Sequence, residues 1–501
     1  MDNDVRRDRQ RGLAGRFFLA LGDEGMKRMS TKIVLLAGVA GLICAGSASA
    51  QTVPDPVPPP APTPAAESGP AAEPVAAEPA AIELADAVEP PAPPLPPPTI
   101  SDQIAAGKII MEIRARYESV DQTRTATLKD QASALTVRTR LGWETADFMG
   151  FRGLVEFEDV RQAGEEHYAV NVPGATTAPL NGADKARYPV VNDPDVTELN
   201  RLQLIWTPGA FLQVTAGRQR ILLDDQRFVG NVGWRQDEQT FDGVRADFAL
   251  GRVKGTYAYI NHVNRILGEL RDWDSDSHLL NVTWSPAEAL RLQGFVYALD
   301  FGNSAINSSI TKGGKASGKT WVGLYQLAYN ATFARQSDYH GNTAAYELDY
   351  VSGDIAGTFD IYTAKLGYES LEGNGTRGFT TPLATVHAFN GWSDAFVSTG
   401  GNKSFADGLE DLNFSINVKP RFRRTYFFNS DVLVRYHDFN DQKTGADLGH
   451  EWGVQFTAAL TTKLSIQFKY ADFEREKTLP LGTLTPPASR SKAWFTLEYK
   501  L

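Results

Sequence analysis

The sequence predicts an all-β fold: a transmembrane antiparallel up-and-down β-barrel of the outer-membrane type with 18 strands, 16 being the alternative count. Three observations lead there. Apolar and polar residues alternate in successive segments from Lys108 to the C-terminus. Tight turns and long polar connections succeed one another between those segments. The chain is 42% hydrophobic and 10% aromatic with 44 glycines, yet it lacks the series of roughly 20-residue apolar runs that a helical membrane protein requires.

The alternation assigns two faces to each strand. Ile109, Met111, Ile113, Ala115 and Tyr117 share one face of the first, with Glu112, Arg114, Arg116 and Glu118 on the other. Leu135, Val137, Leu141 and Trp143 oppose Thr136, Arg138, Arg140 and Glu144. Leu412, Phe414, Ile416 and Val418 oppose Asn413, Ser415, Asn417 and Lys419, and Trp452, Val454, Phe456, Ala458 and Leu460 oppose Glu451, Gln455 and Thr457. Read in order, the strands fall near 108–119, 134–144, 151–160, 197–206, 211–219, 239–248, 252–260, 277–285 and 289–298. They continue near 319–326, 327–335, 343–352, 357–370, 409–418, 428–438, 449–459, 464–473 and 492–501. The pair within 319–335 is short and has no sharp turn signal, which is what leaves 16 open.

A soluble sandwich also alternates, so the connections decide. Turns are tight at Thr207-Pro208-Gly209, Leu250-Gly251, Ser285-Pro286-Ala287 and Thr461-Thr462-Lys463, whereas 161–196, 220–238, 261–276, 299–318 and 474–490 are long and polar. Segregating short turns to one end and long loops to the other is a property of outer-membrane barrels. Closing the sheet pairs every backbone group, which lets strands cross lipid, and arginines on the less apolar face then line a wet lumen instead of a dry core. An even strand count puts both termini on the periplasmic side.

The chain then divides into three segments, of which one is a folded domain. Residues 1–50 are an upstream extension plus a signal peptide: Met26 to Lys32 is basic, Ile33 to Ala45 apolar, and Ala48-Ser49-Ala50 a small-residue box with cleavage before Gln51. Either Met1 or Met26 can be the start. Residues 51–100 hold 17 of the 28 prolines and no lysine or arginine, a disordered, extended periplasmic linker able to reach periplasmic or peptidoglycan partners. Residues 101–501 are the barrel, with 42 basic and 48 acidic side chains and a net charge of −6. The single cysteine, Cys44, lies in the apolar run of the signal, so disulfides and cysteine-ligated zinc are excluded. A mixed, net acidic surface also excludes a general nucleic-acid binder.

The last strand places Ala493, Phe495, Leu497, Tyr499 and Leu501 on one face at the terminus. It resembles the signal read by the barrel-assembly machinery, with leucine where phenylalanine usually stands. Other motifs carry less. Gly313 to Thr320 matches the phosphate-loop pattern formally, but an Asn/Ser/Gly tract precedes it and an alternating segment follows, so it reads as an exposed flexible loop. Asp272, Asp274 and Asp276 have the opening spacing of a calcium loop, but Ser277 and Thr283 stand where glycine and glutamate are needed. With no HExxH or GxSxG and seven scattered histidines, no catalytic constellation assembles. The expectation is a channel without catalysis, cofactor or metal, the Asp272 loop being the only weak metal candidate.

The densest stretch is Gly217 to Arg245, with Arg218, Arg220, Arg227, Arg235 and Arg245 among five carboxylates. It resembles the alginate-export family of outer-membrane porins, as do Gly367 to Gly373 and Thr381 to Trp392, and the resemblance extends over nearly all of 105–501. It implies an 18-stranded monomer, embedded in outer-membrane lipid, whose arginine-lined constriction passes an anionic polysaccharide by passive diffusion. Residue by residue, the substrate path is expected at Arg114, Arg116, Arg138, Arg140, Arg218, Arg220, Arg227, Arg235 and Arg245. Guanidinium groups meet carboxylates in planar bidentate geometry, and a row of individually weak sites suits conduction of a uronate-type chain. The bland reading of the same residues is cross-strand pairing with Glu112, Glu118, Glu144, Glu156 and Asp247 that stiffens the wall. A general porin for small solutes, and a barrel that tethers the envelope through its linker, are the alternatives.

Overall fold

The computed structural model describes residues 99–501 except 125, 171–178, 398–404, 422–426 and 481. The signal and nearly all of the linker expected from the sequence lie outside the described residues. A short helix, α1 (Ile100–Ala105), capped by Thr99 and Asp102, leads into the sheet. Eighteen strands follow: β1 (Lys108–Gln122), β2 (Gln131–Glu144), β3 (Phe151–Gln162), β4 (Val196–Gly209), β5 (Leu212–Gln219), β6 (Thr240–Leu250), β7 (Val253–Asn264), β8 (Trp273–Ala287) and β9 (Leu290–Leu299). The second half is β10 (Ser309–Val322), β11 (Tyr325–Asp338), β12 (Glu347–Phe359), β13 (Tyr362–Glu372), β14 (Gly408–Val418), β15 (Phe428–Asp441), β16 (Asp447–Ala459), β17 (Leu464–Arg475) and β18 (Arg490–Lys500).

Each strand pairs antiparallel with its sequence neighbours, and β1 closes on β18 in the register Glu112↔Lys500 to Gln122↔Arg490. The sheet has no free edge. Both ends of the described chain lie at the short-turn end, where only Phe211 and Ala210 separate β4 from β5 and Gly323-Leu324 separates β10 from β11. The long loops, 163–195, 220–239 and 373–407 above all, share the other end.

The two faces follow the alternation. Leu204, Leu280, Phe333, Ile355, Leu366, Phe468, Phe495 and Leu497 are exposed on the outer surface, and Trp206, Trp284, Trp321, Tyr325, Phe359 and Tyr362 gather beside the short turns as an aromatic girdle. The inner face carries the buried polar side chains Arg116, Glu118, Arg138, Glu156, Glu158, Glu451 and Lys469. A second core sits inside the barrel near the long-loop end, where Ile221, Leu223 and Val229 pack with Phe379, Leu383 and Phe396 and with wall residues such as Phe241, Phe295 and Tyr350.

Two features correct the sequence reading. The Gly313–Thr320 tract is no loop: it is the middle of β10, which begins at Ser309, ten residues before the expected strand. Glycine, serine and lysine mask its strand character, but the glycines are required by packing. A Cβ at Gly313 would collide with the Phe295 ring, and one at Gly318 with the Ala289 carbonyl. The turn between β12 and β13 lies at Asp360-Ile361, not near 353–356, with Asp360 at φ 51°.

Candidate functional site

The inner wall of β1, β2, β3 and β18 is built from arginines and glutamates on one parity. Register sets Arg114 against Arg138 and Glu112 against Arg140 on one side of β1, and Arg114 against Glu498 on the other. Two guanidinium groups facing each other across a pair would repel, so carboxylates interleave. Arg114 Nε lies 2.9 Å from Glu498, Arg138 pairs with Glu112 and reaches within 3.5 Å of Glu498, and Arg140 pairs with Glu158 and lies 3.2 Å from Glu238. One register over, Arg201 of β4 grips Glu156 of β3 with both nitrogens, at 2.8 and 2.6 Å.

Onto this wall folds the loop 220–239. Arg235 lies 3.0 Å from Glu118 of β1, Arg114 donates to the carbonyls of Gly233 and Arg235 at 3.1 and 3.2 Å, and Arg138 to that of Gln236 at 3.3 Å. Gln236, Asp237 and Glu238 are thereby fully buried. Burial alone pushes the Glu238 carboxyl up, but the charges of Arg140 and Arg220 outweigh it and hold the group at about 2. Glu238 is thus a fixed anion that locks the loop to the wall.

The loop 373–407 enters from the opposite side. Arg227 bridges the two loops and the wall: its guanidinium donates to Glu369 of β13 at 2.5 Å, to Thr381 at 3.0 Å and to Asn390 at 3.2 Å. Trp234 of the first loop and His387 of the second stack, and Lys469 of β17 sits 3.8 Å from the Trp234 ring centroid and 4.2 Å from that of Trp392. Arg116 covers Trp234 at 4.2 Å. Glycine makes the fit possible at Gly453 of β16, where a Cβ would meet the Trp392 ring at 2.7 Å. Burial drives His387 well below its ordinary value, against the pull of Asp394 and with the help of Lys469. The neutral ring accepts from Lys469 at Nε2 (3.2 Å) and donates from Nδ1 to Asp394 (3.0 Å).

The nine arginines expected along a path therefore divide. Arg114, Arg116, Arg138 and Arg140 share the inner wall with Arg245 of β6, Arg220 and Arg235 reach them from the inserted loop, and Arg227 of the same loop turns instead to Glu369 of β13. Arg218 does not join them. Its β5 neighbours Thr215 and Gln219 take the inward parity, which leaves Arg218 on the outer face in a two-pronged pair with Asp242 at 2.8 and 3.0 Å. At the weak calcium-loop candidate, Asp274 and Asp276 stand in the extended strand β8 with exposed side chains, and Asp272 accepts from the Arg265 backbone at 2.6 Å. Interior cations that sequence reasoning missed include Arg201, Arg435, Lys469 and Lys492. Parity alone could have found Lys469, which lies between the outward Phe468 and Tyr470.

The fold defined by these observations is a closed 18-stranded antiparallel barrel with a polar interior, the architecture of outer-membrane barrels. Residues 108–305 match the alginate export family, which bears out the resemblance read in the sequence; the motifs at 367–373 and 381–392 lie beyond the matched segment. Among solved structures, Pseudomonas aeruginosa OccK9 (OpdG) aligns with a TM-score of 0.60 at 12% identity, over 80% of this chain and 100% of that one. Pseudomonas aeruginosa OccK1 (OpdK) gives 0.58 at 13% over 79% and 99%, and Acinetobacter baumannii OccAB4 gives 0.59 at 11% over 79% and 98%. These likenesses are of fold. No curated protein sequence matches the chain.

Proposed function

We propose that this barrel is a passive outer-membrane channel for carboxylate-bearing saccharides of the uronate class, with both termini and the proline-rich segment on the periplasmic side. The observation that carries the reading is the pair Arg220 and Arg245. Arg245 donates to the Arg220 carbonyl at 2.9 Å, and the two side chains keep 24% and 22% of their surface, whereas Arg138, Arg140 and Arg227 are sealed at 6% or less. Arg201 beside them keeps 15%. A passing carboxylate can exchange with Asp247 or Glu156 at these guanidinium groups, so each step trades one ion pair for another and no charge is left bare. The sealed arginines then hold the loop 220–239 in place as the floor of that path. An alginate-export match over 108–305 covers all of these residues, and one of the fold neighbours is described with vanillate, itself a carboxylate.

Single-channel recording in planar bilayers tests the reading, with and without a polyuronate, in wild type and in Arg220→Gln/Arg245→Gln. Anion preference and polymer block are expected in wild type, with block weakened at least tenfold in the double variant. Arg218→Gln, on the outer face, is expected to leave block unchanged. Cation selectivity in wild type, or equal block in all three proteins, overturns the proposal.

A further inference from the structure

We infer that Glu158, Glu198 and Asp237 form a binding site for a hard divalent cation, which staples the inserted loop 220–239 to the barrel wall. The three residues come from β3, β4 and the loop, and one carboxylate oxygen from each lies within 4.8 Å of the others. Register makes Glu158 and Glu198 direct cross-strand partners. Like charges placed opposite each other weaken a pair, and here a third carboxylate is added above them.

Asp237 supplies the second observation. It is fully buried, and neither of its carboxylate oxygens has a hydrogen-bond donor. Nor has Glu198 Oε1. Neighbouring acids show what an ordinary solution looks like: Glu156 is held by Arg201, Glu118 by Arg235, and Glu238 of the loop by Arg140 and Arg220. Glu158 itself is partly satisfied, by Arg140 and by the Glu238 backbone N–H at 3.2 Å. Among the described residues the cluster therefore sets two carboxylates with no cation of their own beside a third that Arg140 already holds. A buried carboxylate left so must find a cation or a proton. An all-oxygen set of three carboxylates from three chain segments is what calcium or magnesium takes, with carbonyls or water completing six or more ligands. The inference does not depend on which solute the channel passes.

The test uses the mature barrel refolded in detergent, stripped with chelator and titrated calorimetrically with calcium and with magnesium. One saturable site per barrel is expected, with affinity reduced at least tenfold in Asp237→Asn and in Glu198→Gln, and unchanged in the exposed-strand control Asp274→Asn. The stripped wild type is also expected to lose its heat-resistant electrophoretic mobility at a lower temperature than the calcium-loaded protein. Wild type that binds neither ion at millimolar concentration overturns the inference and leaves a shared proton in the cluster. Binding that survives both Asp237→Asn and Glu198→Gln but falls in Asp274→Asn overturns it as well. If either carboxylate variant fails to fold, the wild-type titration and mobility shift still decide.

Discussion

Trp234 and His387 stack with ring centroids 4.1 Å apart and planes 9° from parallel. They belong to different loops, 220–239 and 373–407, that enter the barrel separately. Their contact turns two insertions into one packed body, closed beneath by Trp494 at 5.6 Å from Trp234.

Trp234→Ala is expected to separate the loops. It removes the shared surface of Arg116, Lys469, His387 and Trp494 at once, and large-to-small changes of this kind cost about 3–5 kcal/mol in a packed interior. The wall keeps its own hydrogen-bonded ladder, so the barrel should still assemble. Single-channel recording is expected to show a larger and noisier conductance. Conductance indistinguishable from wild type means that the loops do not bound the path.

Arg227 tests how the interior holds charge. It is 2% exposed and pairs with Glu369, itself 7% exposed. Arg227→Met leaves that carboxylate buried without its partner, a change that typically costs about 3–5 kcal/mol. Adding Glu369→Gln removes the stranded charge and is expected to restore much of the loss. Urea unfolding midpoints in detergent give the comparison. A double variant as unstable as the single one would assign the cost to lost packing against Tyr350 and Phe389, whose ring centroids lie 5.6 and 4.9 Å from the guanidinium.

Most of the barrel was legible because period two is a local property. The faces of β1, β2, β14 and β16 follow the alternation residue by residue, and the inward arginines of β1 and β2 come with them. What was not legible is long-range. Arg218 looked like its neighbour Arg220, but Gly217 at φ 106° and the strand's parity send it outward. The Glu158–Glu198 juxtaposition depends on a cross-strand register with a bulge between Glu156 and Phe157, and no local pattern encodes that. The Gly313 tract was misread because its glycines answer to the Phe295 ring of the adjacent strand, not to a turn.

Neighbouring residues of β4 separate the two faces in one measurement. Leu204 is 55% exposed on the outer surface, while Gln203 points inward opposite Leu154 and Gly217. Leu204→Arg puts a guanidinium into lipid at a cost of about 2–4 kcal/mol near the midplane, whereas Gln203→Arg adds one to a wet interior. Folding yield into lipid vesicles, read by electrophoretic mobility without heating, is expected to fall for the first and hold for the second. Equal losses would place Leu204 outside the apolar band.

Acid should loosen the loops, and the sign follows from His387. The groups facing it are Asp394 of its own loop, Lys469 of β17 and Arg235 of the other loop. Burial holds its proton affinity well below the ordinary 6.5, so the ring stays neutral while docked and can titrate normally only once released. Above that value both states are neutral and pH has no effect through this residue. As pH falls through it, the released state gains a proton that the docked state refuses, and docking weakens by up to about 1.4 kcal/mol per pH unit. Open-channel noise is therefore expected to rise between pH 7 and pH 5 in wild type. His387→Gln keeps a hydrogen-bonding side chain without the titration and is expected to flatten that rise. A variant as acid-sensitive as wild type would move the effect to another group.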